Sequence, residues 1–188
     1  MEKVTFRSID KMVPEEWKII SAFETREHRH MPELVMQQLE ILGQGEQPYQ
    51  INRLQHSLQT ATRALRDGAS EELVVAALIH DVGDHLALYN HAELAAAMIK
   101  PYVSAKTHWI VLNHDVFQGH YYWENLGWDK NTRDKFLNHP WFDDCDRFCK
   151  EWDCPSFDPD YDTLPLEYFK PMVERIFSRK PHAHRDDQ

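Results

Sequence analysis

Cysteine is scarce in this chain, three among 188 residues. Cys145, Cys149 and Cys154 are odd in number, crowd into one stretch and lack C-x-x-C spacing. They therefore exclude a disulfide framework and a cysteine zinc site, and read as reduced thiols of a cytoplasmic protein. Long apolar runs are missing too. Nothing approaches the ~20 consecutive apolar residues needed to cross a bilayer, and residues 1–10 lack the basic-then-apolar order of a leader. Basic charge is in short supply: 21 Lys and Arg against 31 Asp and Glu leave a net charge of -10. That balance argues against a partner such as nucleic acid, whose backbone demands a concentrated basic face. No segment alternates apolar and polar residues over a strand's length, and no internal repeat or low-complexity tract occurs.

What is present is an ordinary globular composition, 42% hydrophobic and 28% charged, in a length suited to one domain over residues 1–188. Two N-terminal helices are expected within 14–42. The first opens at Pro14-Glu15-Glu16, with Trp17, Ile20, Ala22 and Phe23 as its apolar side. The second runs from Pro32 to Leu42 with Leu34, Val35, Leu39 and Leu42 at helical spacing. Gly43 to Pro48 is a loop. Further helices are expected over Ile51–Arg66, from Ser70 to Ile79, His91–Lys100, Ser104–His114, Asn131–Phe136, Trp141–Trp152 and Leu166–Phe177. Phe117–Trp128 and Pro155–Pro165 read as long loops, and 179–188 as a frayed polar tail carrying His182 and His184. The fold class is all-α, a helical bundle.

Histidine is the residue in excess, twelve in all. The apolar run Ala76-Ala77-Leu78-Ile79 ends in His80-Asp81, and burying an imidazole beside a carboxylate is costly unless a partner such as a cation recovers the lost hydration. His56 sits among core-facing leucines of the preceding helix. His91 and His114 each stand at an end of a mostly apolar helix, and Asp153 closes another. Four histidines and two acids so placed suit an octahedral nitrogen and oxygen environment for a hard first-row metal such as iron or manganese.

The ordered set His56, His80-Asp81 and Asp153, spread from about Asn52 to Asp153, resembles the HD-domain superfamily, whose fold is a helical bundle with a metal site of H...HD...D type. The resemblance implies that His91 and His114 are the extra ligands of a dinuclear member, with Asp81 bridging the two metals. His56-Ser57-Leu58-Gln59-Thr60-Ala61 is similar to the H-x-x-Q-T/A-A pattern of the HD oxygenases that cleave myo-inositol and 1-hydroxyphosphonates, and Phe148 to Asp153 resembles their aromatic-Asp segment. What this implies is a pair of iron ions (Fe2+/Fe3+) acting with O2 on a small-molecule substrate. The alternative is an HD phosphohydrolase using Mn2+ or another divalent metal on a phosphoester or nucleotide.

The chain departs from these relatives where they meet substrate. Asp84 stands where many carry Lys after the HD pair, and Gln118 stands where the phosphonate-cleaving group has its substrate lysine. Asp84, Gln118, His120 and Tyr49 are the candidate substrate-binding residues. Lys106, Lys130 and Arg133 are candidate compensating cations. An acid at position 84, with aromatic faces from Phe117, Tyr121, Tyr122, Trp123 and Trp128, would suit an ammonium group. The expected substrate is then a hydroxylated molecule such as a 1-hydroxy-2-ammonio-phosphonate.

Overall fold

A computed structural model describes residues 2–181. The architecture is all-α, with no strand among the described residues. Helix α1 spans Pro14–Leu42 without interruption and carries Pro32 inside it. The sequence predicts a break there, because an internal proline removes a backbone hydrogen bond and crowds the preceding turn. Val35, Leu39 and Leu42, all beyond Pro32, bury against the core, whereas Trp17 and Phe23 remain 47% and 44% exposed. The apolar side expected of the front half is therefore an exposed face; Leu34 likewise points outward. Glu16 anchors the start of α1, accepting from the backbone N–H groups of Thr5, Phe6 and Val13.

Helix α2, Arg53–Arg66, begins with a reciprocal cap: the Asn52 side chain accepts from Gln55 N at 2.8 Å and the Gln55 side chain accepts from Asn52 N at 3.0 Å. Helix α3, Glu71–Ile79, is capped by Ser70, and its last six residues, Val74 to Ile79, are all buried. Helices α4, His91–Ile99, and α5, Ala105–Gly119, follow, the latter capped by Ser104. Helix α5 thus runs five residues beyond its expected end at His114. Phe117 is consequently a fully buried helix residue packed on Trp109, Phe136 and Phe142, and cannot offer its face to a ligand.

Lys130–Phe136 is a 3-10 turn and not an α-helix. The helix expected over Trp141–Trp152 is divided into α6, Phe142–Arg147, and a π-helical segment, Phe148–Asp153. Its signature is the wide hydrogen bond from Cys154 N to Cys149 O, 2.8 Å long. The extra residue in that turn rotates Asp153 onto the same buried side as Phe148, Cys149 and Trp152. Helix α7, Leu166–Phe177, packs on α1 and α3. Arg179, assigned by sequence to the frayed tail, donates to Glu72 and to the Tyr102 carbonyl. His182 and His184 lie outside the described residues.

The centre of the molecule is where α2 packs on α3 and on the π-helical segment, with α5 closing the other side. Polar residues of α2 hold the Pro155–Pro165 loop over this centre. Gln59 donates to the Asp158 carbonyl at 2.7 Å, Arg63 to the Pro155 carbonyl at 3.0 Å, and Thr62 accepts from Leu164 N. The loop is thereby fixed by α2's buried polar side.

Candidate metal centre

Three of the four histidines of the cluster are oriented through one ring nitrogen, leaving the other to face inward. His56 Nδ1 lies 2.9 Å from the Ser156 carbonyl, His80 Nδ1 2.8 Å from that of Ala77, and His114 Nδ1 2.7 Å from that of Val111. A carbonyl can only accept, so each Nδ1 carries a proton and each Nε2 is left to face the cluster. The fourth, His91, has Asp84 Oδ1 at 3.4 Å from its Nδ1.

The inward nitrogens converge on two carboxylates. His56 Nε2 is 3.4 Å from Asp81 Oδ2 and 3.2 Å from Asp153 Oδ1. His80 Nε2 is 3.6 Å from Asp81 Oδ1 and 3.5 Å from Asp153 Oδ1. His91 and His114 approach Asp81 Oδ1 through Nε2 at 3.4 and 3.3 Å. All six residues singled out as ligands thus meet in one place, and Asp81 touches all four rings.

Three overlapping groups of these side chains place their donor atoms within 4.8 Å of one another and can hold a metal ion: His56, His80 and Asp81; His80, His114 and Asp153; Asp81, His91 and His114. Donors ~2.1 Å from one ion stand ~3.0 Å apart at right angles and ~3.4 Å apart in a tetrahedron, so the observed spacings suit shared ions. Two features suit a cation held among these side chains. The Nε2 atoms of His56 and His80 face each other at 3.2 Å, and Asp153 Oδ2 is buried with no hydrogen-bond partner.

Charge in the cluster is interdependent. Burial opposes ionisation of Asp81, yet the field of His80 and the His114 hydrogen bond hold its pKa well below the ordinary carboxylate range. Asp153, equally buried, is lowered by His80 and His56. Burial likewise disfavours charge on His56 and His80, and the two carboxylates outweigh it and raise both. The cysteines take no part: burial and Asp153 push the Cys154 thiol up to about 12, and buried Cys149 is raised well above its usual value. Neither is a ready thiolate ligand. Cys149 instead donates to the His114 carbonyl, tying the π-helical segment to α5.

A cavity of about 430 Å³ opens beside the cluster, lined by Tyr49, Arg53, Asp81, His91, Gln118, Tyr121, Tyr122, Cys154 and Phe157. Two of the four expected substrate residues, Tyr49 and Gln118, line it. Gln118 also donates to Asp153 Oδ1 at 2.8 Å. Asp84 does not line it; its carboxylate pairs with the Arg53 guanidinium and faces His91. His120 turns its Nδ1 to the Lys130 carbonyl at 3.0 Å and is also outside the lining. Of the expected aromatic faces, Tyr121 and Tyr122 are present and Trp123 and Trp128 are not. Lys106 pairs with Asp144, Lys130 with Glu124 and Arg133 with Asp146, so none of these three cations reaches the cavity.

Sequence reasoning missed two residues of consequence. Arg53 is only 20% exposed; its guanidinium bonds Asp81 Oδ2 at 3.1 Å, pairs with Asp84 and packs 5.2 Å from the Tyr49 ring centre. Its position three residues before His56 on the same helix was the available signal. Phe157 stacks on the His56 ring with centroids 4.4 Å apart. That contact depends on a loop returning across a hundred residues and has no local signal. No family model matches the chain, and no curated protein matches it significantly.

Proposed function

We propose that this protein is a metal-dependent oxygenase that uses a pair of iron ions and dioxygen to cleave a C–P or C–C bond of a small hydroxylated substrate. The observation that carries this reading is the sharing of Asp81 by histidines approaching from two sides, beside a cavity that Asp81 and His91 line. His56, His80, Asp81 and Asp153 would hold one ion, and His91 and His114, with Asp81 in common, the second. A bound iron pair supplies Lewis acidity toward a substrate hydroxyl and one-electron chemistry toward dioxygen. An imidazole-rich donor set with carboxylates suits iron. The resemblance of His56 to Ala61 to the oxygenase pattern points the same way.

The protein's own contribution is to bind and orient. The volume of about 430 Å³ falls within the range of small-molecule sites. Arg53 sets one positive charge against Asp81 and Asp84 and itself lines the cavity, so part of the negative charge that would repel an anionic group such as a phosphonate is offset. The rings of Tyr49, Tyr121 and Tyr122 suit an ammonium group, each worth ~0.5–2 kcal/mol. A 1-hydroxy-2-ammonio-phosphonate unites both features. Tyr121 is braced for this role by its hydroxyl bond to Asp146, itself paired with Arg133.

The test is oxygen dependence. Iron-loaded protein is assayed on hydroxylated phosphonates and polyols, with and without dioxygen, and after replacement of iron by zinc or magnesium. Turnover is expected only with iron and dioxygen together. Full-rate hydrolysis of a phosphomonoester or nucleotide without dioxygen, supported by a redox-silent metal, would make the protein a phosphohydrolase instead.

A further inference from the structure

Three of the four inward-facing histidines lean on backbone carbonyls through Nδ1, and one does not. His91 has no carbonyl partner. Its Nδ1 is buried without a hydrogen bond, as is Asp84 Oδ1, and these two atoms face each other at 3.4 Å. The other oxygen of Asp84 is held by Arg53 Nη2. The carboxylate is thus fixed on one side and aimed on the other.

From this geometry we infer that Asp84 is a positioning residue: its carboxylate orients His91 through Nδ1, so that Nε2 is presented to a second metal ion. The inference rests on the two-ion reading of the site. The rings of His80 and His114 lean on main chain within α3 and α5 and that of His56 on the Ser156 carbonyl, but His91 opens α4 and is 21% exposed, whereas the other three rings are buried. A ligand at a helix start, partly open to solvent, is the one most dependent on a side-chain partner. A carboxylate accepting from the distal nitrogen fixes the tautomer and ring plane and raises the basicity of the coordinating nitrogen. Asp84 reaches this place because the chain continues in tight turns after α3, with Asp84 N donating to the Asp81 carbonyl at 3.0 Å. Asp81 and Asp84 therefore lie one turn apart, the first toward the ions and the second behind a ligand. Arg53 spans the two carboxylates and sets their separation.

The consequence is asymmetry: the ion held by His91 and His114 depends on Asp84, and the ion held by His56, His80 and Asp153 does not. The full chain is stripped of metal and titrated with Co2+, the occupancy followed by visible absorption and by cobalt content per chain. Wild type is expected to fill in two steps. Asp84→Ala should weaken the second step by ~10–100-fold and leave the first unchanged. Asp84→Asn, which keeps an accepting oxygen in the same shape and guards against misfolding, should give a smaller loss of the same step. The cobalt spectrum of the first step should be identical in all three proteins. Equal weakening of both steps, or no weakening of either, overturns the inference while leaving the two-ion reading intact. A single step in wild type overturns both.

Discussion

At the scale of residues, the six candidate ligands were legible because each is a polar group where an apolar helix ends or buries a face, and such placement is costly without a partner. Arg53 was not, since an arginine at the opening turn of a helix reads as solvated charge until its carboxylate partners are known. Phe157 could not be read at all, because its contact with His56 is made only when the loop after Asp153 folds back over α2. Asp84 was noticed for its charge and given to the substrate. In the structure that charge is matched by Arg53. Asp81 lies against all four histidines, so Asp81→Asn should abolish tight binding of both ions. His91→Ala should cost only the second. Equilibrium dialysis against Fe2+ under argon measures both, and retention of one ion by Asp81→Asn would argue against a shared carboxylate.

Elements were legible where local signals agreed: Ser70 and Ser104 each start a helix as their chemistry dictates. They were illegible where packing overrode a local rule. The continuity of α1 through Pro32 is one case, since Pro32 itself and Val35, Leu39 and Leu42 beyond it are buried, which offsets the local cost of a proline inside the helix. The π-helical turn is another, because an apolar pattern alone does not reveal one inserted residue. Gly83 has an equally specific role. A Cβ there would lie 2.8 Å from the His91 carbonyl oxygen and 3.1 Å from its Cα, so the turn after His80-Asp81 packs directly on the start of α4. Gly83→Ala should destabilise the fold by ~1–3 kcal/mol and weaken the second metal site more than the first, as measured by urea unfolding and by metal titration. An unchanged urea midpoint would mean that this contact is not tight.

Glu72 joins three elements, accepting from Ser104 and Thr107 at the start of α5 and from Arg179 after α7. Burial works against its ionised form, but these donors lower its pKa from 4.5 to about 2. The folded value lies below the unfolded one, so the stabilisation is fully present above about pH 4.5 and is lost as pH falls toward 2. After allowance for solvent screening, the contribution is ~1–2 kcal/mol. Glu72→Gln should lower stability by that amount at pH 7 and by little at pH 2. A loss that does not depend on pH would assign Glu72 a purely steric part.

Across the whole molecule, the bundle brings α2, α3, α4, α5 and the π-helical segment to one point, and the side chains found there are acids and histidines in place of apolar residues. A core built this way is stabilised by what it binds. With metal at 100 times its dissociation constant, mass action adds ~2.7 kcal/mol per site, which for a chain of this size raises Tm by ~5–10 °C. Differential scanning calorimetry of chelator-treated and reloaded protein checks this, and an equal Tm in both would show that the cluster is stable without a cation. The exposed face of α1's front half, with Trp17 and Phe23, stands apart from this centre and contributes nothing to it.

If the six residues form a site for two ions, the metal content of the purified chain shows it. Protein produced with ample iron is analysed for iron per chain by mass spectrometry, wild type beside His91→Ala. Two irons are expected in wild type and one in the variant; no more than one in wild type, or two in both, would rule out a two-ion site built with His91.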